Sequence, residues 1–294
     1  MLLRTTTNSG AELRLELFEP AITREDVEVT ITNINEIGNE DQIFERDKKK
    51  YFPHIYLPDW EEMLLVFKGQ NPSVNPRNLE VLATTSYHVQ AVRKGGRYDI
   101  TPIAVAGLIL TKDNKFVCGV RGGNHESGKV CISPAGSLSL LNLHNRGNPL
   151  FATFHKELEE ELGIKKDDSD NPQLIGVEYQ TEQDETKGVK FVFYMPTKES
   201  SREIDEKHKE AFNVYQKAIS NGVPEVEARR EIQYAGIPNS DAWEHTKLLF
   251  IDNNPKLIGE IIQSRGVPHE GKEYPLLDLA RGALLLYNAL QEEH

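Results

Sequence analysis

Apolar and polar positions alternate along two early segments, Glu12-Leu-Arg-Leu-Glu-Leu-Phe18 and Val27-Glu-Val-Thr-Ile-Thr-Asn33. A period of two is the mark of a half-buried strand. Met63–Phe67 and Leu79–Leu82 are further short strands, set apart by Pro- and Asn-rich turns. Near residue 100 the pattern changes. Ile103–Leu110 is a continuous apolar run, Lys112–Lys115 a turn and Phe116–Val120 a second run. Together they predict a hairpin buried on both sides. A Gly-rich loop, Arg121–Lys129, then leads through Val130–Ile132 into Ser133-Pro-Ala-Gly136, and Leu174–Tyr179, Val189–Tyr194 and Leu248–Ile251 read as later strands. Residues 198–235 are charged and helical in pattern. Ile204, Phe212, Tyr215 and Ile219 form a discontinuous apolar stripe, and Val226 and Ala228 mark a second short helix. Pro255–Arg265 and Pro275–Gln291 close the chain as helices. The expected class is α/β (α+β), with an N-terminal α+β accessory domain over 1–97 and a second domain over 98–294. The second domain carries a helical insertion at about 198–240.

The chemistry concentrates in Asn148-Pro-Leu-Phe-Ala-Thr-Phe-His-Lys-Glu-Leu-Glu-Glu-Glu-Leu-Gly-Ile164. Asn148 is a good N-cap, Pro149 suits the first helical position, and Gly163 suits the left-handed C′ position. At about 100° per residue, Phe151, Phe154, Leu158 and Leu162 share a core face. Glu157, Glu160 and Glu161 cluster on another face, while Glu159 points elsewhere. Each like-charged i,i+3 or i,i+4 pair costs a helix roughly 0.2–0.5 kcal/mol. Acids in the last turn also oppose the helix dipole. A solvated acidic face is the plain reading of such a cluster. The sharper one is a site for a hard cation, Mg²⁺ or Mn²⁺, which is bound by converging carboxylate oxygens.

Charge narrows the partners. The 294 residues hold 34 Lys+Arg and 46 Asp+Glu, a formal net charge of −12. That balance argues against binding a nucleic-acid backbone, which is held mainly by Lys and Arg. It leaves room for a small anionic substrate if a divalent cation inverts the local field. The two cysteines, Cys118 and Cys131, lie in apolar strands and are expected to be reduced, buried thiols. Neither a signal-peptide pattern nor an apolar run of membrane-spanning length occurs, so a cytoplasmic location without a membrane partner is expected. The run Asp47-Lys-Lys-Lys50 reads as a solvated turn.

Lys156-Glu-Leu-Glu-Glu-Glu-Leu-Gly-Ile164 resembles the end of the Nudix box, Arg-Glu-U-x-Glu-Glu-x-Gly-U with U aliphatic, and departs from it only at Lys156. Ser133-Pro-Ala-Gly136 resembles the Pro-Gly-Gly turn that opens the box. The likeness covers about residues 100–195 and more loosely the final strand and helices. The family also has a Glu early in the box. Counting from Gly136 or back from Lys156 reaches Asn142 or Asn148, and the intervening loop carries about six extra residues. The resemblance implies a Nudix α/β/α sandwich with a mixed sheet. It further implies Mg²⁺- or Mn²⁺-dependent hydrolysis of the pyrophosphate in a nucleoside diphosphate derivative, such as a nucleotide sugar or ADP-ribose. Glu157, Glu160 and Glu161 become the catalytic and metal-binding residues. Arg121, Lys156 and Tyr179 become substrate-binding residues. Tyr194, Trp243, His245, His125 and Glu126 are secondary candidates for lining the site. The resemblance leaves the general base open between the helix itself and a later loop, where Glu178, Glu182, Asp184 and Glu185 are the candidates. It also leaves a homodimer open. A non-catalytic Nudix-fold module that binds a nucleotide or a protein partner is the alternative.

Overall fold

The computed structural model describes residues 1–8, 10–33, 63–69, 72–85, 89, 100–122, 126–140, 148–165, 171–182 and 185–292. In chain order the strands are β1 (Leu2–Thr6), β2 (Glu12–Ile22), β3 (Glu28–Asn33), β4 (Met63–Lys68), β5 (Asn78–Thr85), β6 (Ile100–Leu110), β7 (Lys115–Arg121), β8 (Val130–Ile132) and β9 (Ala135–Ser137). Helix α1 (Pro149–Leu162) is followed by β10 (Gln173–Glu182), β11 (Glu185–Pro196), α2 (Ser201–Ser220) and α3 (Glu225–Tyr234). The chain ends with β12 (His245–Asp252), α4 (Pro255–Ser264), β13 (Gly266–His269), β14 (Lys272–Pro275) and α5 (Asp278–Glu292).

Twelve strands form one mixed sheet, whose main path runs β1-β2-β10-β11-β6-β4-β5-β3. Most neighbours are antiparallel, but β11 runs parallel to β6 and β3 parallel to β5. Residues on either side of position 97 share this sheet, since β2 pairs with β10 and β4 with β6. Alternation along the strands sorts side chains to two faces. On one face Val105, Phe191 and Phe193 meet Leu150, Phe151, Phe154, Leu158 and Leu162 of α1. On the other, Leu13, Leu15, Ala106 and Val192 meet Ile258 and Ile261 of α4 and Ala283, Leu284 and Leu286 of α5. Helices therefore cover both faces of a mixed sheet, an α+β architecture. Among the described residues, no helix is long and apolar enough to cross a membrane.

Four local expectations need adjusting. The hairpin of β6 and β7 is joined only at Leu110 and Phe116. Below that pair β6 takes β9 and β11 as partners, whereas β7 takes β8 and β12, so the two arms diverge. On α2 the buried stripe is Ile204, His208, Ala211 and Ala218, while Ile219 is exposed. On α3 it is Ala228 and Ile232 that face inward, and Val226 is exposed. The hairpin β13–β14 separates the last two helices, so the closing helix starts at Asp278 rather than Pro275. The Asp47–Lys50 run lies outside the described residues.

Candidate metal centre

The sequence signals that start and stop α1 operate as expected. The Asn148 side chain accepts a hydrogen bond from the Leu150 amide at 3.0 Å and donates to the Val27 carbonyl at 2.9 Å. Gly163 takes φ 67°, and its amide donates to the Glu159 and Leu158 carbonyls. Phe154 stacks on Phe193 at 4.7 Å between ring centroids, and Phe151 meets the same ring edge-on at 5.0 Å. These contacts fix the rotation of α1 about its axis and so fix where its acids point.

They point to the turn before and within β9. Glu161, only 2% exposed, accepts from the Ser133 hydroxyl at 2.6 Å and the Ala135 amide at 2.9 Å. A Cβ at Gly136 would overlap the Glu157 carboxylate, so any side chain there would push that carboxylate aside. The third acid, Glu160, is more open and sits 2.6 Å from the Lys156 ammonium, which also lies 3.6 Å from Glu157. Lys156 thus binds acids of its own helix.

Two further acids reach the cluster from a distant part of the chain. The Asp241 amide donates to the Glu160 carbonyl at 2.9 Å. The buried Asn239 side chain lies over Gly163, where a Cβ would collide with it. These contacts dock the segment leading into β12 onto the C-terminal end of α1, bringing Asp241 and Glu244 near Glu157, Glu160 and Glu161. Nothing in their local pattern marks them, apart from lying just before a strand.

The carboxyl groups raise one another's proton affinity. Burial pushes Glu157 up to about 7, opposed by Lys156 and assisted by Glu160, Asp241 and Glu244. Burial, then Glu244 and Glu157, hold Glu161 well above the usual carboxylate range despite its two hydrogen bonds. Glu244 rises to about 7 through burial and Asp241, with Arg121 and Arg229 opposing. Arg121, at the end of β7, thus places positive charge on the Glu244 side of the cluster, and its buried Nε has no hydrogen-bond partner. Arg229 of α3 lies 3.5 Å over the Trp243 ring, whose indole N–H donates to Asp241 at 3.3 Å.

The remaining candidates lie elsewhere or serve packing. Tyr179 is 1% exposed, with the Arg14 guanidinium 3.8 Å over its ring and its hydroxyl donating to Glu16 at 3.2 Å. Tyr194 packs against Tyr287 on the face covered by α4 and α5. Glu178 is fully buried beneath Gly282 of α5, on the face opposite α1. Glu126 is exposed and pairs with Lys129 at 3.2 Å. His125 and Asp184 lie outside the described residues, as do the side chains of Glu182 and Glu185. Cys118 and Cys131 are free, buried thiols, and burial followed by the Glu161 charge pushes Cys131 up to about 12. His245 fills the space beside Gly119 and reaches the Cys131 sulfur at 3.3 Å, and burial holds it neutral with a value near 3.

Among the described residues, no three His, Cys, Asp or Glu side chains already stand together as a set that could hold a metal ion. The donor chemistry nonetheless fits a hard cation. The acids that converge here offer carboxylate oxygens, the donor type a hard cation takes, and burial followed by their mutual repulsion disfavours their charged forms when no cation is present. No family model matches this chain, and no curated protein matches it either.

Proposed function

We propose that the chain is a Nudix-fold pyrophosphohydrolase, cleaving a nucleoside diphosphate derivative with the help of Mg²⁺ or Mn²⁺. The observation that carries this reading is the placement of Glu157, Glu160 and Glu161. They share one face of α1, which lies against the Ser133–Gly136 turn, and Glu161 is hydrogen-bonded into that turn. A helix selected only for packing would not bury acids against one another at this cost. Helices on both faces of a mixed sheet supply the surrounding architecture.

Glu157, Glu160 and Glu161 would hold the cation. With a cation there, these carboxylates would supply a site at which diphosphate charge is offset and water is made more acidic. The chain's own groups do the rest. Ser133 and Ala135 hold the Glu161 carboxylate in one orientation, so an ion site need not be assembled from mobile side chains. Glu244, brought to the cluster by the segment before β12, is the further acid that could take a proton from water at this site. Arg121 places positive charge beside Glu244, where it can meet a phosphate oxygen.

The test is to incubate the protein with Mg²⁺ or Mn²⁺ and a panel of nucleotide sugars, ADP-ribose and related compounds, following release of nucleoside monophosphate. The proposal expects turnover that requires the cation and falls by at least about 100-fold in Glu160→Gln and Glu161→Gln, as for loss of a group acting in the transition state. No turnover on any compound from a folded wild type would refute it and favour a binding module.

A further inference from the structure

Lys156 stands at the position where a cation is wanted. Its ammonium lies 2.6 Å from Glu160 and 3.6 Å from Glu157, and its side chain is 36% exposed. The pair with Glu160 has Lys N-terminal to Glu at i,i+4, the weaker orientation on a helix. It also lies in the last turn, where a Glu gains nothing from the helix dipole. Glu157, Glu160 and Asp241 supply the negative charge around this ammonium. Lys suits this place, because its ammonium is a point charge on a flexible stem and is not committed to a two-pronged pair as an Arg would be.

We propose that Lys156 is an internal counter-ion that a divalent cation displaces, and that it thereby lowers the affinity of this site for metal. The proposal rests on the cation-site reading above. A dication between Glu157 and Glu160 would repel an ammonium held at the same oxygens, so the side chain must turn outward into solvent, which its exposure allows. Metal affinity is then set partly by the strength of the contact being broken.

The experiment is a Mn²⁺ titration of the full-length protein, read as free Mn²⁺ by electron paramagnetic resonance, at pH 8 so that carboxylates are ionised. Wild type, Lys156→Met and Lys156→Arg are compared, together with their metal-free melting temperatures. Met keeps the apolar stem and removes the charge. The expected result is Mn²⁺ binding tightened about three- to tenfold in Lys156→Met, from loss of a partly exposed pair and its repulsion of the ion. The same variant should melt below wild type without metal and above it with saturating Mn²⁺. Lys156→Arg should bind no more tightly than wild type. If wild type binds Mn²⁺ and Lys156→Met binds equally or more weakly, the displacement proposal is wrong while the cation site stands. If neither protein binds Mn²⁺, both fall.

Discussion

Replacing Glu178 by Gln should change how stability responds to pH, with little effect at pH 5. Glu178 lies on β10 between Leu15 of β2 and Lys190 of β11. It faces α5, where the absence of a side chain at Gly282 makes room for it. The residue has no exposed surface, and neither carboxylate oxygen has a hydrogen-bond partner. Burial raises its carboxyl from 4.5 to about 8; Lys190 opposes the rise and Asp278, at the start of α5, adds to it. Because the folded value lies above the unfolded one, the folded protein holds the proton more tightly between them. Stability from this group is complete below the unfolded value and is lost as pH rises through the folded one. At about 1.36 kcal/mol per unit, the full difference is about 5 kcal/mol at most, so a gap of a few kcal/mol is expected. Gln has nearly the same size and cannot ionise. Wild type and Glu178→Gln should therefore melt within a few degrees of each other at pH 5. By pH 9 the variant should melt higher by at least about 6 °C, at roughly 2 °C per kcal/mol for a chain of this size. The assay is a thermal melt of both proteins from pH 5 to 9 at fixed ionic strength. Groups common to both cancel in the difference. A difference that stays constant across this range would refute the reasoning.

Other substitutions probe other parts of the account. Asn148→Ala removes both the cap on Leu150 and the bond to Val27, and should cost about 1–2 kcal/mol in urea unfolding. Gly136→Ala forces the Glu157 carboxylate aside, so turnover should fall about 100-fold while the urea midpoint changes little. Asp113 accepts from both the amide (2.7 Å) and the hydroxyl (2.6 Å) of Ser201 at the start of α2. Burial would raise its carboxyl, but these bonds outweigh that and hold it well below 3.8. Its contribution is therefore present above 3.8 and lost as pH falls through the lower, folded value. Asp113→Asn should cost about 1 kcal/mol at neutral pH, and the gap to wild type should narrow in acid melts.

Local chemistry explains what could be read from the sequence. Helix α1 was legible because Asn148, Pro149 and Gly163 each act within a few residues, and because Phe151, Phe154, Leu158 and Leu162 repeat at helical spacing. The alternating strands β2 and β3 were legible for the same reason. What escaped depends on partners far along the chain. Leu110 and Phe116 mark the point where two arms part because β9, β11, β8 and β12 compete for their edges. His208 is buried and lies within hydrogen-bond distance of the His245 carbonyl, whereas Ile219, counted in the apolar stripe of α2, is exposed. In the candidate site, the faces of α1 followed from 100° geometry, and Lys156 was visible as a departure from the family pattern. Its pairing with Glu160 followed only from the structure. Asp241 and Glu244 could not be found from their neighbours, because they join the cluster through a backbone bond to Glu160 formed about 80 residues away in sequence.

The centre of the account is that the acids of α1 form a divalent-cation site. Anomalous diffraction from crystals of the full chain soaked in Mn²⁺ tests this most directly. The account predicts one strong manganese peak within coordination distance of carboxylates among Glu157, Glu160 and Glu161, with the Lys156 side chain turned away. Density that stays empty there at saturating Mn²⁺, with Lys156 still on Glu160, would contradict it.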